Sequence, residues 1–540
     1  MRLWWVRRVC AGAAMVVFCA MSAAICAWGQ ASGDGTALEG GGSRVLLVLP
    51  FDNRTGQPSL EWLREAAAEI LSTRFASAGF QPTSRADRMY ALDHLGLPQG
   101  FQPSRASALK LAQTLDADSI VVGSYITDGS GIVAEATLVD VPNLRMLPEV
   151  SARGEMKDMV AVFGELAWKL TKQLDPQFNV AEGTFAAAGK NIRLDAFEQY
   201  IRGITEQDQA ERLKHLQTAV KLSPDFGPAW MALGREDYNE QQYQVAADAF
   251  AKVDHTGPDG LEADFYRGLS LMFLGNYAEA EKAFAEVARV LPLAEVVNNE
   301  GVAESRQGKD GISLFVQAAA TDPNAADYHF NLAVSLKREG NLTGALNELA
   351  QCLKLRPNDG EAQALNDAWK GKPAADGTNG ANSSAEPLER IARRFDETAF
   401  RQAAAMLDEV NAGRLAALTS HDRAQRLCTQ ARGFLDRGLL LEAERLYQDA
   451  VAADGASAQA HAGLAEVRQR SGDADGARKE AHEALELGPS ADAYVVLAQL
   501  DFDGGALQQA DTEAGDALKV EPANRSAQEL KRKIEAKTGR

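Results

Sequence analysis

The chain has 540 residues, of which 24% are charged, 46% hydrophobic and 7% aromatic, and this length predicts several domains rather than one core. A formal net charge of −19 argues against a nucleic-acid partner, because binding to phosphates requires a basic surface. The many alanines and few aromatic residues favour closely packed helices.

The first 30 residues have the order of a secretory signal. Three arginines precede an uncharged apolar stretch, and small residues near its end would permit cleavage. We therefore predict a signal peptide over residues 1–30, a flexible tether over 31–43, and export to the periplasm or cell envelope. The alternative is a membrane anchor formed by residues 9–28, because the apolar run is long enough to span a bilayer.

Residues 44–175 alternate between strand and helix patterns and predict a mixed α/β domain. Short apolar runs bounded by turn residues predict strands at 45–50, 80–83, 119–127, 132–139 and 145–152. Apolar residues at helical spacing predict helices at 59–78, 86–95, 104–115 and 155–174.

Three short motifs in this domain, at 45–53, 117–125 and 137–140, resemble the amino-terminal domain of TolB and the CsgG-like modules of the bacterial envelope. The resemblance implies the fold and an envelope setting, and it places no catalytic residue at the matched positions. The β-propeller of full TolB does not follow in this sequence.

A regular repeat begins after a predicted linker at 176–194. Prolines recur at nearly constant spacing, separated by 34, 34, 31 and 34 residues, at Pro224, Pro258, Pro292, Pro323 and Pro357. Because proline cannot continue a helix, this spacing predicts two helices per unit, the second of which ends before the proline.

The residues at fixed positions within these units resemble the tetratricopeptide repeat. In the unit that begins at residue 227 the signature positions hold Trp230, Leu233, Gly234, Ala246, Phe250 and Pro258. The resemblance implies an α+β chain in which the α/β domain precedes an all-α solenoid in two arrays. The arrays are predicted at 195–370 and 387–540, with a Gly/Asn/Ser-rich linker at 371–386 and a polar capping helix at the C-terminus.

No catalytic or cofactor motif stands out in the sequence. It lacks HExxH, CxxC and GxSxG patterns, so we predict no enzyme activity, no metal and no cofactor. Cys352 occupies a small-residue packing position, and 52–55 is interpreted as a hydrogen-bonded turn rather than a ligand site.

The predicted binding surface is the concave face formed by the first helices of the repeats. Helical geometry and the family resemblance place ten side chains there: Met231, Arg235, Tyr238, Phe265, Leu269, Met272, Asn299, Arg306, Phe330 and Lys337. This face is apolar in the first repeats and becomes polar and cationic in the later ones. Such a surface suits an extended or helical peptide with an apolar anchor and a carboxylate. The alternative for Phe265 and Met272 is packing against the adjacent repeat.

These observations together predict a non-catalytic exported scaffold that binds protein or peptide partners in cell-envelope assembly. One alternative is a ligand-sensing regulatory subunit of an envelope enzyme. Another is a structural protein that assembles with copies of itself.

Overall fold

The computed structural model describes residues 45–98, 100, 104–187, 193–255, 259–371, 387–395 and 410–538. The predicted signal peptide or anchor, the tether, and all of the 371–386 linker except Gly371 lie outside these residues. Within the described ranges, no helix combines the length and apolar character needed to cross a bilayer.

The N-terminal part of the described chain forms one mixed sheet. Its strands are β1 (Val45–Val48), β2 (Asp52–Asn53), β3 (Gln81–Pro82), β4 (Ser119–Asp128), β5 (Gly131–Asp140), β6 (Arg145–Met146) and β7 (Val150–Glu155). The order is β3-β1-β4-β5-β6, with β2 beside β4 and β7 beside β5. β1 runs parallel to β3 and β4, whereas β4 and β5 form a long antiparallel hairpin.

Helices cover both faces of this sheet. They are α1 (Leu63–Ser77), α2 (Arg85–His94), α3 (Arg105–Thr114) and α4 (Met159–Leu174). Alternate residues of β1 point to opposite faces, so Leu46 and Val48 pack with α1 and α4, while Leu47 packs with α2 and α3. The mixed α/β domain predicted from the sequence is therefore present.

Two predicted elements differ from the structure. The strand expected at 145–152 is divided into β6 and β7 on either side of Pro148, because proline has no N–H to donate to a ladder. The interval 176–194, predicted to be a linker, is packed over much of its described length. Helix α5 (Glu182–Ala187) places Phe185 in the same core as α4, and Trp168 donates a hydrogen bond to the carbonyl of Val180 (2.9 Å).

The remaining helices form the two predicted arrays. The first array contains α6 (Leu194–Thr205), α7 (Gln209–Leu222), α8 (Gly227–Asn239), α9 (Tyr243–Phe250), α10 (Gly260–Phe273), α11 (Tyr277–Val290), α12 (Ala294–Arg306), α13 (Ile312–Thr321), α14 (Ala326–Arg338), α15 (Leu342–Leu355) and α16 (Gly360–Trp369). The second contains α17 (Ser420–Asp436), α18 (Leu440–Ala453), α19 (Ala458–Ser471), α20 (Ala474–Leu487), α21 (Ala491–Asp503), α22 (Leu507–Val520) and α23 (Arg525–Thr538).

Glycine allows the two helices of a repeat to approach closely. A Cβ atom at Gly268 would lie 2.7 Å from the ring of Phe284, and one at Gly234 would lie 2.8 Å from the ring of Phe250. Both rings are fully buried. The aromatic residue of the second helix thus packs directly against the backbone of the first.

The second array also packs against the α/β domain. Leu441 of α18 is buried in the core that α1 and α4 share. The fully buried carboxylate of Glu444 accepts hydrogen bonds from the N–H of Ala181 (3.1 Å) and from the hydroxyl of Thr184. Burial raises the pKa of Glu444. The segment that follows α4 therefore joins the domain to the second array.

We expect Gly268→Ala to destabilise the first array, because the added methyl group has no space beside Phe284. Overpacking of this kind costs about 1–3 kcal/mol. The matched control is Gly433→Ala, since Gly433 is also helical but has open space around its Cβ position. Thermal unfolding followed by circular dichroism would show a lower Tm for Gly268→Ala only; equal Tm values for the two variants would contradict the packing argument.

We expect Glu300→Gln to stabilise the chain at pH 8 but not at pH 5. Burial, followed by repulsion from Glu304 and Glu281, raises the pKa of Glu300 to about 7. The folded state therefore binds an extra proton, and stability falls as the pH rises from about 4.5 to 7. Because the side chain is only partly buried, we expect a gain of about 1 kcal/mol at pH 8.

This gain would be measured by urea unfolding at the two pH values. Glu240→Gln, at an exposed position after α8, serves as the control. A pH-independent effect of Glu300→Gln would contradict the assignment.

Candidate peptide-binding groove

A stretch of the chain itself lies along the first helices of the first array. Residues 387–395, with the sequence Pro-Leu-Glu-Arg-Ile-Ala-Arg-Arg-Phe, adopt neither helix nor strand and contact α10, α12, α14 and α16. We call these residues the groove segment. The second array was predicted to start at 387, whereas its first residues belong to the groove of the first array.

Three buried asparagines hold the main chain of the groove segment. Asn299 of α12 donates to the carbonyl of Ala392 (2.8 Å) and accepts from the Ala392 N–H (2.8 Å). Asn331 of α14 forms the same pair of bonds with Arg390, at 2.7 and 2.6 Å. Asn298 links the two sites, because it donates to the carbonyl of Arg390 and accepts from Asn331.

The bonded residues 390 and 392 are two positions apart, which is the period of an extended chain. All three asparagine side chains are fully buried, so their amide groups need partners within the protein. These contacts recognise main-chain atoms and do not depend on the side chains of the bound segment.

The carboxylate of Glu389 lies among cationic and hydroxyl groups. Arg338 donates to it at 2.6 Å and Ser305 at 2.5 Å, while the guanidinium of Arg306 lies 3.8 Å away. Arg306 also donates to the main-chain carbonyl of Glu389 (2.9 Å). The carboxylate is almost completely buried, and these partners offset the cost of its removal from water.

The side chain of the next residue, Arg390, is surrounded by carboxylates. Its guanidinium donates to Asp359 (2.6 and 2.9 Å), to Asp327 (2.9 Å) and to Glu361 (2.9 Å), and it lies 3.6 Å from the centroid of the Phe330 ring. Burial opposes the charged form, yet these hydrogen bonds raise the pKa of Arg390. Hydrogen bonds from Arg390 lower the pKa of Asp359 to about 2.

The C-terminal half of the groove segment is held by apolar and aromatic contacts. The ring of Phe395 lies 5.3 Å from that of Phe265, centroid to centroid, and Arg393 lies 5.5 Å from the ring centroid of Phe273. Ile391 packs against the same hydrophobic core of α10 to α13. The groove thus passes from charged contacts at α12, α14 and α16 to aromatic contacts at α10.

Four of the ten residues predicted for the concave face contact the groove segment. They are Phe265, Asn299, Arg306 and Phe330.

Of the other six, Leu269 and Met272 belong to the hydrophobic cluster against which Ile391 and Phe395 pack, and Tyr238 packs against that cluster too. Met231, Leu269 and Met272 are buried between helices, Arg235 pairs with Glu262, and half-buried Tyr238 packs against Tyr266 (5.4 Å between ring centroids). Lys337 is half-buried.

Phe265 both packs within the array and contacts the segment. It has no exposed surface and also contacts Phe284 (5.8 Å) and Tyr266 (5.6 Å), so a charged substitution there would disrupt the array itself. The asparagines are therefore better positions for testing the groove.

Sequence reasoning missed Asn331, Asn298 and the acidic residues around Arg390. One signal was available, because Asn299 and Asn331 each stand two positions before the small residue of their repeat, Gly301 and Ala333. Nothing in the sequence indicated that residues 387–395 would return to these helices.

The other sequence candidates have structural roles. Asn53 accepts hydrogen bonds from the N–H (3.1 Å) and hydroxyl (2.6 Å) of Thr55, which forms the expected turn. Cys352 is buried, and burial raises the pKa of its thiol to about 11. Among the described residues, no group of three His, Cys, Asp or Glu side chains is placed to hold a metal ion.

The second array has a polar cleft that the sequence did not single out. Its lining includes Arg432, Glu466, Arg470 and Asp492. Glu466 pairs with both arginines, at 2.7 and 2.5 Å. The cleft is therefore an internally paired charged surface, unlike the asparagine-lined groove of the first array.

A family model for the tetratricopeptide repeat matches residues 231–295, 301–360 and 428–492. The chain contains tetratricopeptide repeats. The matches fall in both arrays. The second match includes Asn331 and most of the charged residues of the groove, whereas Asn298 and Asn299 lie between the first two matches. Among curated proteins, none matches this chain.

Solved structures are similar to parts of the chain. MamA from Desulfovibrio magneticus RS-1 is 21% identical, with 31% of this chain and 99% of that chain covered and a TM-score of 0.29. YrrB, described as a tetratricopeptide-repeat protein with an unusual peptide-binding site, is 17% identical, with 37% and 98% covered and a TM-score of 0.29. The C-terminal domain of LpoB from Salmonella enterica is 22% identical, with 22% and 88% covered and a TM-score of 0.20.

We expect Asn299→Ala to loosen the groove segment, because Ala392 loses both of its main-chain hydrogen bonds to this side chain. The loss of about 1.4 kcal/mol corresponds to about tenfold faster hydrogen exchange at the Ala392 amide. Mass spectrometry of peptic fragments that contain residues 387–395 would measure it. Asn347→Ala, at an exposed position on α15, is the control, and equal exchange in the two variants would contradict the assignment.

Proposed function

We propose that this chain is an exported, non-catalytic scaffold that binds protein or peptide partners through the groove of its first array, in the assembly of complexes of the bacterial cell envelope. One observation carries the proposal: the groove holds a peptide segment by paired hydrogen bonds from Asn299 and Asn331 to its main chain. Tetratricopeptide repeats supply such surfaces on rigid helices, and bonds to main-chain atoms suit a peptide ligand.

Two features of the sequence support the envelope part of the proposal. The arginine-then-apolar order of residues 1–30 is typical of an export signal, and the alternative that residues 9–28 remain as an anchor leads to the same compartment. The resemblance of the α/β domain to TolB-type and CsgG-like modules favours the same setting.

We expect a crosslinker in the groove to capture partner proteins that a crosslinker on the outer helices does not capture. A photoreactive phenylalanine analogue at Phe273, which lies beside Arg393, would be compared with one at Val316, an exposed position on α13. Cells that express the tagged full chain would be irradiated and their envelope fraction analysed by mass spectrometry.

Export would be tested in the same cells, because removal of residues 2–30 should take the chain out of the envelope fraction. Identical crosslinked proteins from the two positions, or none from Phe273, would contradict the binding role. An unchanged distribution after removal of residues 2–30 would contradict export through this segment.

A further inference from the structure

We propose that the groove takes a partner peptide with the chemistry of the groove segment: a carboxylate, then a guanidinium and an apolar residue, and an aromatic ring near the C-terminal end. The groove segment is then a competitor within the same chain, and the partner must displace it. This inference rests on the proposed function and specifies the ligand of the same site.

The first argument is the order of charges along the groove. Two arginines, Arg306 and Arg338, face the carboxylate of Glu389, whereas Asp359 and Asp327 face the next side chain, Arg390. A peptide with these two charges exchanged would place a cation beside arginines and an anion beside aspartates. The groove therefore selects a sequence order, by repulsion as well as by attraction.

The second argument is that the main chain and side chains are recognised separately. The asparagines bind any extended main chain, while the charged residues and the Phe265 ring distinguish side chains. A site of this kind fits peptides from another protein as well as it fits its own segment, provided that the side-chain order is the same.

The third argument concerns the connection between the groove and its segment. Fifteen residues rich in Ala, Gly, Asn and Ser separate Gly371 from Pro387. A ligand attached through a short linker of such composition acts at an effective concentration of about a millimolar. A partner therefore displaces the attached segment only if it binds the groove more tightly than the segment does, or if its local concentration is higher.

The test uses a fluorescent peptide of sequence PLERIARRF and the full chain, with fluorescence anisotropy as the measurement. The segment variant Glu389→Ala with Arg390→Ala weakens the competitor and leaves the groove unchanged. We expect this variant to bind the peptide at least about tenfold more tightly than the unaltered chain does. Adding Asn299→Ala and Asn331→Ala to the segment variant should abolish that binding.

A second peptide keeps the test independent of any groove variant. PLREIARRF has the same composition with the two charges exchanged, and we expect it to bind the segment variant at least about tenfold more weakly. Equal binding of the two peptides, or equal binding of PLERIARRF to the unaltered chain and the segment variant, would overturn the proposal.

The oligomeric state tests whether the groove instead binds the segment of a second copy of this chain. A dimer of the unaltered chain that the segment variant converts to a monomer would overturn the proposal, because the groove would then belong to the segment of a second copy. If neither peptide binds while crosslinks from Phe273 persist, this inference fails and the scaffold function stands. If those crosslinks are also absent, both fail.

Discussion

The structure depends on one constraint, that no helix pair of the repeats can bury its apolar surface alone. In two of the pairs a buried ring, Phe250 or Phe284, packs on a glycine backbone, and the next pair covers what remains exposed. The beginning of each array has the same need, and the α/β domain meets it. Leu441 of the second array and Ile201 of the first enter the core that α1 and α4 form.

A second constraint operates inside the groove, where polar groups are buried between apolar helices. Buried amides are costly without hydrogen bonds, and Asn298, Asn299 and Asn331 obtain theirs from one another and from the main chain of the groove segment. The buried carboxylate of Glu389 likewise depends on arginines from α12 and α14. The buried polar groups of the groove therefore need an occupant that supplies hydrogen bonds and charges. This need explains why a non-helical stretch of nine residues has a defined position.

Much of the architecture was predictable because it rests on local patterns. Prolines at a nearly constant spacing predicted where second helices end, and Pro224, Pro292 and Pro357 each stand two residues after the last helical residue. The candidate site was predicted less completely. Periodicity alone places four residues on the concave side of their respective helices: Phe265, Asn299, Arg306 and Phe330. The roles of Asn331, Asp359 and Glu389 depend instead on contacts between stretches that are distant in the sequence.

The sequence by itself determined the repeat, its two arrays, the α/β domain before them and the chemical character of the first-helix faces, because proline, glycine and apolar spacing act over a few residues. Only the tertiary structure decided that residues 387–395 lie in the first groove and that 176–187 pack against the second array. These positions follow from hydrogen bonds and ion pairs between residues about 30 to 260 positions apart, such as Arg390 with Asp359 and Thr184 with Glu444. Contacts at that separation have no periodicity, so the sequence pattern does not reveal them.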